Sequence, residues 1–150
     1  GSVSTSMVQN IDFAPTLLDA AGIVPKDAMH GVSLLPVFNK PGYLQDRDLY
    51  YHFYENPGFH GVARHYGVHT GRYKLIHYYR NDEWELFDLE TDPQELENLY
   101  GQAGYENVIN DLEKRLAALR RQYQVTEKEP EAPWYHDTLI RAFEHLMQIL

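Results

Sequence analysis

The sequence predicts an α+β fold: a four-stranded antiparallel sheet packed by one long helix, with further helices flanking it towards the N- and C-termini. Three observations carry that prediction. Residues 72–79 alternate, with Tyr73, Leu75, His77 and Tyr79 on one face and Arg72, Lys74, Ile76 and Tyr78 on the other. Period two among aromatic and branched residues marks a strand. The polar run Arg80-Asn81-Asp82-Glu83 then leads into a second apolar run, Trp84 to Leu89, which makes a hairpin. Residues 106–123 set Val108, Ile109, Leu112, Leu116, Leu119 and Tyr123 on one helical stripe. A lone hairpin is marginal in water, so further strands and a helix must cover it.

The remaining elements follow in order. Residues 3–8 read as a linker or strand remnant. Asp12 to Ala21 reads as a helix, with Asp12 as cap, Pro15 in the first turn, and Leu17, Leu18 and Ala21 as its apolar stripe. Gly22 is placed to close it, with Pro25 beyond. Residues 23–47, punctuated by proline and glycine, read as loop. Asp48 to Glu55 (DLYYHFYE) is a strand, aromatic on both faces, followed by an Asn56-Pro57-Gly58 turn. Gly61 to Thr70 is the next strand, where Gly67 marks a bulge or a close approach. Short connections between consecutive strands favour antiparallel pairing. After the hairpin, Asp92 can cap a helix start, Pro93 suits its first position, and Glu95 can reach back to the cap. A short helical turn is expected to end near Tyr100-Gly101. In the 106–123 helix, Asp111 and Arg115 form an i,i+4 pair on the wet side. Residues 124–133 are a charged, proline-bearing linker, and Asp137 caps a last amphipathic helix to Leu150 that closes the core or mediates self-association. The chain divides into 1–47, 48–123 and 124–150.

The 150 residues, 43% hydrophobic, support one domain with a real core. A formal charge of −9 makes nucleic acid and anionic membranes poor partners. The acid is uneven: it crowds residues 82–97 and 127–131, while residues 60–80 carry Arg64, Arg72, Lys74, Arg80 and several histidines. The absence of cysteine excludes disulfides and thiolate zinc sites and leaves the redox compartment open. No apolar run approaches the ~20 residues of a membrane helix, and no signal peptide is visible. Gly1-Ser2 reads as a vector-derived scar, so the chain is expected to start within a longer protein.

The words R-Y-K-L-I (72–76) and E-L-F-D-L-E-x-D-P-x-E-x-x-N-L (85–99) resemble the C-terminal subdomain of the sulfatase family. So do G-V-x-T before them, the helix D-F-A-P-T-L-L-D at 12–19, and the G-x-S-L-x-P turn at 31–36. Five words in register over roughly residues 3–123 make coincidence a poor explanation. The resemblance implies a parent enzyme that cleaves sulfate esters of sulfated glycans, with calcium and a formylglycine, in the periplasm or outside the cell. It assigns residues 12–21 to the edge of the catalytic domain. The family's nucleophile word, C/S-x-P-x-R, is absent here, and none of Ser2, Ser4, Ser6 or Ser33 has its spacing. No comparable set of Asp and Asn calcium ligands stands in this chain. The chain is thus expected to be inactive alone, with the missing N-terminal catalytic domain as its partner. The far sheet face is expected to dock that domain and, in an isolated chain, to self-associate. The alternatives are a free-standing carbohydrate-binding or protein-interaction module, or the subdomain of a related phosphoester hydrolase.

Five histidines, His52, His60, His65, His69 and His77, lie close together in sequence. Three could build a metal site, but no ligand spacing recurs, and packing against aromatic rings explains His52 and His77 better. Glu55, His60, Arg64 and His65 flank a Pro-Gly turn, and sulfated sugars need cationic and hydrogen-bonding groups. These four are the candidate substrate-rim residues. His69 stands where the family pattern favours arginine. Lys74 reads as a solvated or sheet-edge lysine. Trp84 and the tyrosines read as core before sugar platforms. Glu90, Asp92 and Glu95 suggest calcium at first sight, but capping already uses two of them.

Overall fold

The structure is a computed structural model that describes residues 3–40, 43, 47–56, 61–126 and 145. A 3-10 turn, Asn10–Asp12, leads into α1 (Phe13–Ala20), and a short helix α2 (Leu35–Asn39) follows. Four strands, β1 (Leu49–Phe53), β2 (His65–His69), β3 (Tyr73–Tyr78) and β4 (Glu83–Asp88), form one sheet in the order β1-β2-β3-β4, each antiparallel to the next. Helix α3 (Glu106–Gln122) crosses one face. The expected sheet, covering helix and N-terminal helix are all present. The expected helix from Asp137 lies outside the described residues.

The core is a row across the sheet. Val68, Leu75 and Leu86 lie directly opposite one another on β2, β3 and β4 and are 0% exposed. Leu112, Leu116 and Leu119 of α3 press onto them, with Tyr66 and Leu99 at the margins. This is the stripe that the sequence assigns to the helix. Fully burying each such leucine is worth about 1.5–3 kcal/mol. Gly67 sits in regular register between Tyr51 and Ile76, so there is no bulge. The close approach is real: a Cβ there would strike the Leu75 carbonyl and the Tyr51 hydroxyl.

Ion pairs and side-chain bonds tie the recurring words to one another. Arg72 grips Asp88 with two bonds, Nε to Oδ1 at 3.0 Å and Nη2 to Oδ2 at 2.7 Å. Lys74 is half-buried and paired on an inner strand: its Nζ meets Glu95 at 2.6 Å. Asn98 closes the open edge of β4, because its Oδ1 accepts from Leu86 N and its Nδ2 donates to Trp84 O. Leu99 N then donates to Leu86 O. A side-chain amide thus fills the place of a neighbouring strand, which protects an edge. Asp12 is no helix cap by side chain. It is fully buried and accepts from Gln9 N, Val32 N and both terminal nitrogens of Arg47. Thr16 Oγ1 accepts from Leu34 N, so the helix word reads the G-x-S-L-x-P word directly. Gly31 is required there, since a Cβ would collide with the Ile11 carbonyl.

Some local expectations give way to these long-range bonds. Residues 89–105 form turns and no helix. Asp92 does hold amides, those of Leu96 and Glu97, but Glu95 turns away to Lys74 at a positive φ of 56°. Residues 35–39, read as loop, form α2 because Pro36 sits in a first turn, where it costs no hydrogen bond. Helix α1 buries no residue, and Leu17 is 71% exposed. The far sheet face is not the open apolar surface. Ile76 and Phe87 are each 6% exposed, whereas Phe13, Leu17, Val24 and Phe38 of the N-terminal segment are exposed. Among the described residues, no helix is long and apolar enough to cross a membrane.

Two measurements check this account. Leu75→Ala should cost about 2–5 kcal/mol in urea unfolding, while Leu17→Ala stays within about 0.5 kcal/mol. Acid should also destabilise the fold through two carboxylates. Burial alone would raise Asp12, but bonds from Arg47, Val32 N and Gln9 N outweigh it and hold it below its ordinary 3.8. The Arg72 bonds hold Asp88 below the same value. Both are depressed in the folded state, so the unfolded chain takes up protons first as pH falls. The stability they supply is complete well above pH 3.8 and is lost as pH falls through that value towards the folded ones. Melting curves against pH should show the loss, and Asp12→Asn should lower the midpoint at neutral pH and flatten the acid slope.

Candidate functional site

The β1–β2 end of the sheet gathers most of the chemistry. Phe53 closes β1 opposite His65, which opens β2, so the residues just outside the pair meet at one hairpin mouth. Glu55 lies there, exposed, and Arg64 half-buried. Asn56 braces the mouth: its Nδ2 donates to Val62 O at 2.9 Å, and its carbonyl accepts from Arg64 Nε at 2.7 Å. His65 Nδ1 is 2.8 Å from the Ala63 carbonyl. A carbonyl only accepts, so Nδ1 carries a proton. The ring lies against Phe53, 5.4 Å between centroids at 20°, with Tyr51 and Tyr78 beside it. The structure brings Glu55, Arg64 and His65 to one mouth. His60, the fourth residue of the sequence-based set, lies outside the described residues.

The helix-covered face at the same end is a block of rings. His52 stacks on Tyr54 at 3.7 Å and bonds the Tyr50 hydroxyl through Nδ1 at 2.9 Å. His77 lies flat on Trp84 at 3.9 Å, and Trp84 stacks on Tyr100. Packing against aromatic rings is therefore the role of both histidines. A chain of bonds ties three elements together. Arg120 Nη1 of α3 donates to the Tyr66 hydroxyl at 2.8 Å, Tyr66 bonds His77 Nδ1 at 2.8 Å, and His77 Nε2 meets Asp82 at 3.1 Å. The Arg120 guanidinium also sits 4.2 Å above the Tyr66 ring. Burial raises the hydroxyl pKa of Tyr50 and Tyr51. Burial and the Glu85 bond push Tyr78 up to about 12. These phenols therefore stay protonated.

His69 is neither a surface residue nor a charge carrier. It is half-buried, and its Nδ1 accepts from Gly71 N at 3.0 Å in the β2–β3 turn. Burial, then Lys74, holds its pKa below 6.5. No metal centre takes shape among the described residues: no group of three or more His, Asp or Glu could hold an ion. Of the acids that first suggest calcium, Glu90 pairs with Arg72, Asp92 holds two amides, and Glu95 pairs with Lys74. With no cysteine and no serine at the nucleophile spacing, these residues fit neither calcium nor formylglycine chemistry. Sequence reading missed Asn56, Asn98 and Arg120. Asn98 could have been found, since it stands in the word at 85–99. Arg120 could not, because its partner lies 54 residues away.

Comparison with known proteins gives the context. Residues 1–122 match the family described as N-sulphoglucosamine sulphohydrolase, C-terminal. The chain is 43% identical over 129 residues to N-acetylglucosamine-6-O-sulfatase of Bacteroides thetaiotaomicron, covering 83% of this chain and 23% of that protein. A solved structure described as in complex with its substrate, D-glucosamine-2-N,6-O-disulfate, superposes with a TM-score of 0.79 at 41% identity. The match covers 88% of this chain and 28% of that one. A phosphonate monoester hydrolase of Agrobacterium radiobacter superposes with a TM-score of 0.59 at 26% identity, over 81% of this chain and 28% of that one. The chain spans about a quarter of the length of these proteins. From the match over residues 1–122 and the shared sheet, the chain belongs to the sulfatase C-terminal family.

Proposed function

We propose that the chain serves as the C-terminal subdomain of a sulfatase that hydrolyses sulfate esters of sulfated glycans. It buttresses the catalytic part and lends its β1–β2 mouth to the substrate rim. The observation that carries this reading is the superposition, at 41% identity, on a protein described with a disulfated glucosamine as substrate. Calcium and formylglycine, if the protein uses them, belong to the part of the enzyme outside this chain, because the residues here fit neither. The exposed Phe13, Leu17, Val24 and Phe38 supply an apolar surface for the catalytic part to cover. Because sulfated glycans are met outside the cytoplasm, we place the protein in the periplasm or beyond it. Recovery in a cytoplasmic fraction would remove that point.

At the rim, the chemistry is binding and orientation. Arg64 brings a fixed positive charge, set by its bond to the Asn56 carbonyl, which suits a sulfate oxygen. The Glu55 carboxylate is an acceptor for sugar hydroxyls, and the His65 ring adds a second polar group at the mouth. A phosphoester substrate is the second reading, favoured by the likeness to the phosphonate hydrolase.

Kinetics of the full-length enzyme test both readings. Arg64→Ala should raise KM for a sulfated disaccharide roughly tenfold, the worth of one charge-assisted hydrogen bond, and leave kcat on a small aryl sulfate unchanged. Unchanged KM for Arg64→Ala, His65→Ala and Glu55→Ala would remove the rim role. Turnover of phosphate or phosphonate esters with none of sulfate esters would replace the sulfatase reading with the second one.

A further inference from the structure

A groove of about 390 Å³ lies between the start of β3 and α3. Thr70 and Tyr73 of the β2–β3 turn form one wall. Asn107, Val108, Asp111, Leu112 and Arg115 form the other, spaced so that they share one face of the helix. Thr70 follows the last residue of β2, whereas His65 opens that strand at the mouth, so the groove stands at the opposite end of the sheet from the rim. We propose that it is a second carbohydrate site, which takes an unsulfated, neutral pyranose of the glycan. The proposal rests on the glycan reading above.

The groove combines the two kinds of surface that a sugar ring needs. Its floor is apolar: Leu112 is 2% exposed, and Val108 and the Tyr73 ring pack on the core beside it. Such a floor suits the C–H face of a pyranose. Its edge is polar. Among the described residues, the Asn107 amide and the Tyr73 hydroxyl make no hydrogen bond. An amide both donates and accepts, as a sugar hydroxyl does. Arg115 is fixed by two carboxylates: Nε donates to Asp111 Oδ2 at 2.7 Å, and Nη1 meets the two Asp48 oxygens at 3.3 and 3.4 Å. Those bonds leave Arg115 Nη2 and Asp111 Oδ1 to a ligand. The turn is fixed too, since Tyr73 N donates to Thr70 Oγ1 at 3.2 Å and Thr70 N to Tyr73 O at 2.9 Å. A wall already in place costs little to order on binding.

Charge decides between a neutral and an anionic ring. Arg115 stands between two carboxylates, Asp48 and Asp111, which leaves this edge with a net negative charge. Arg72, whose guanidinium lies 4.9 Å over the Tyr73 ring, is itself held by Asp88 and Glu90. Glu106 occupies the first turn of α3 and accepts from Gly104 N at 3.0 Å, so the helix start does not draw an anion either. A sulfate group would meet like charge in the groove.

The test is an amide and side-chain NMR titration of this chain with N-acetylglucosamine, with its 6-sulfate and with glycerol. The neutral sugar should shift Thr70, Tyr73, Asn107 and Arg115, and the other two should shift them far less. Asn107→Ala should weaken binding about fivefold, the worth of one neutral hydrogen bond. Its side chain is exposed and makes no bond among the described residues, so the melting midpoint should stay unchanged. Tyr73→Phe keeps the ring, removes the hydroxyl and should also weaken binding. Equal or larger shifts from the 6-sulfate would overturn the choice of a neutral ring. Equal shifts from glycerol would overturn sugar recognition. No shifts in the groove at tens of millimolar sugar, or full binding by both variants, would overturn the site. None of these outcomes needs turnover, so they stand apart from the kinetics that decide the sulfatase reading.

Discussion

The row Val68–Leu75–Leu86 is the constraint on which the rest depends. One residue from each of three strands is fully buried against α3, and each stands opposite the next. A slip of one position would carry all three to the other face, so the row sets the register. The register in turn decides what meets at the end of the sheet. It sets Phe53 opposite His65, and Tyr66 opposite His77, which faces Trp84. The rim and the block of rings are consequences of where three apolar side chains have to be.

The words that mark the family hold this row in place. Arg72 and Asp88 clamp the start of β3 to the end of β4, and Lys74 pins the 92–97 turn through Glu95. Asn98 supplies the open edge of β4 with the bonds of a missing strand. Asp12 gathers Gln9, Val32 and Arg47 around a buried carboxylate. Breaking such a buried pair by removing one partner leaves a stranded charge and costs about 3–5 kcal/mol. These residues are engaged with one another, so the words that mark the family do structural service in this subdomain.

Elements governed by local pattern were legible in the sequence. The alternation at 72–79 and the stripe at 106–123 need only the strand and helix periods, and both stand where they were read. Elements settled by distant partners were not. Asp12 looks like a cap because the next residues are helical, yet its partner Arg47 lies 35 positions away. Glu95 has the spacing of a capping box, but Lys74 competes for it and wins. Helix α2 is five residues long, too short for a period to show. The site follows the same division. Glu55, Arg64 and His65 meet because a hairpin folds them together, which pairing of adjacent strands foretells. The block of rings draws on Arg120 from α3, and nothing near Arg120 in sequence points to Tyr66.

The central claim is that the recurring words hold the fold, while recognition of the sulfated sugar belongs to the β1–β2 end. Asn98→Ala separates the two. Its thermal midpoint and its titration with a sulfated disaccharide should be measured on the same sample, beside Arg64→Ala. The account predicts a lower midpoint and unchanged affinity below it for Asn98→Ala, and the reverse pattern for Arg64→Ala. An Asn98→Ala protein as stable as the parent chain but unable to bind the sulfated sugar would contradict it.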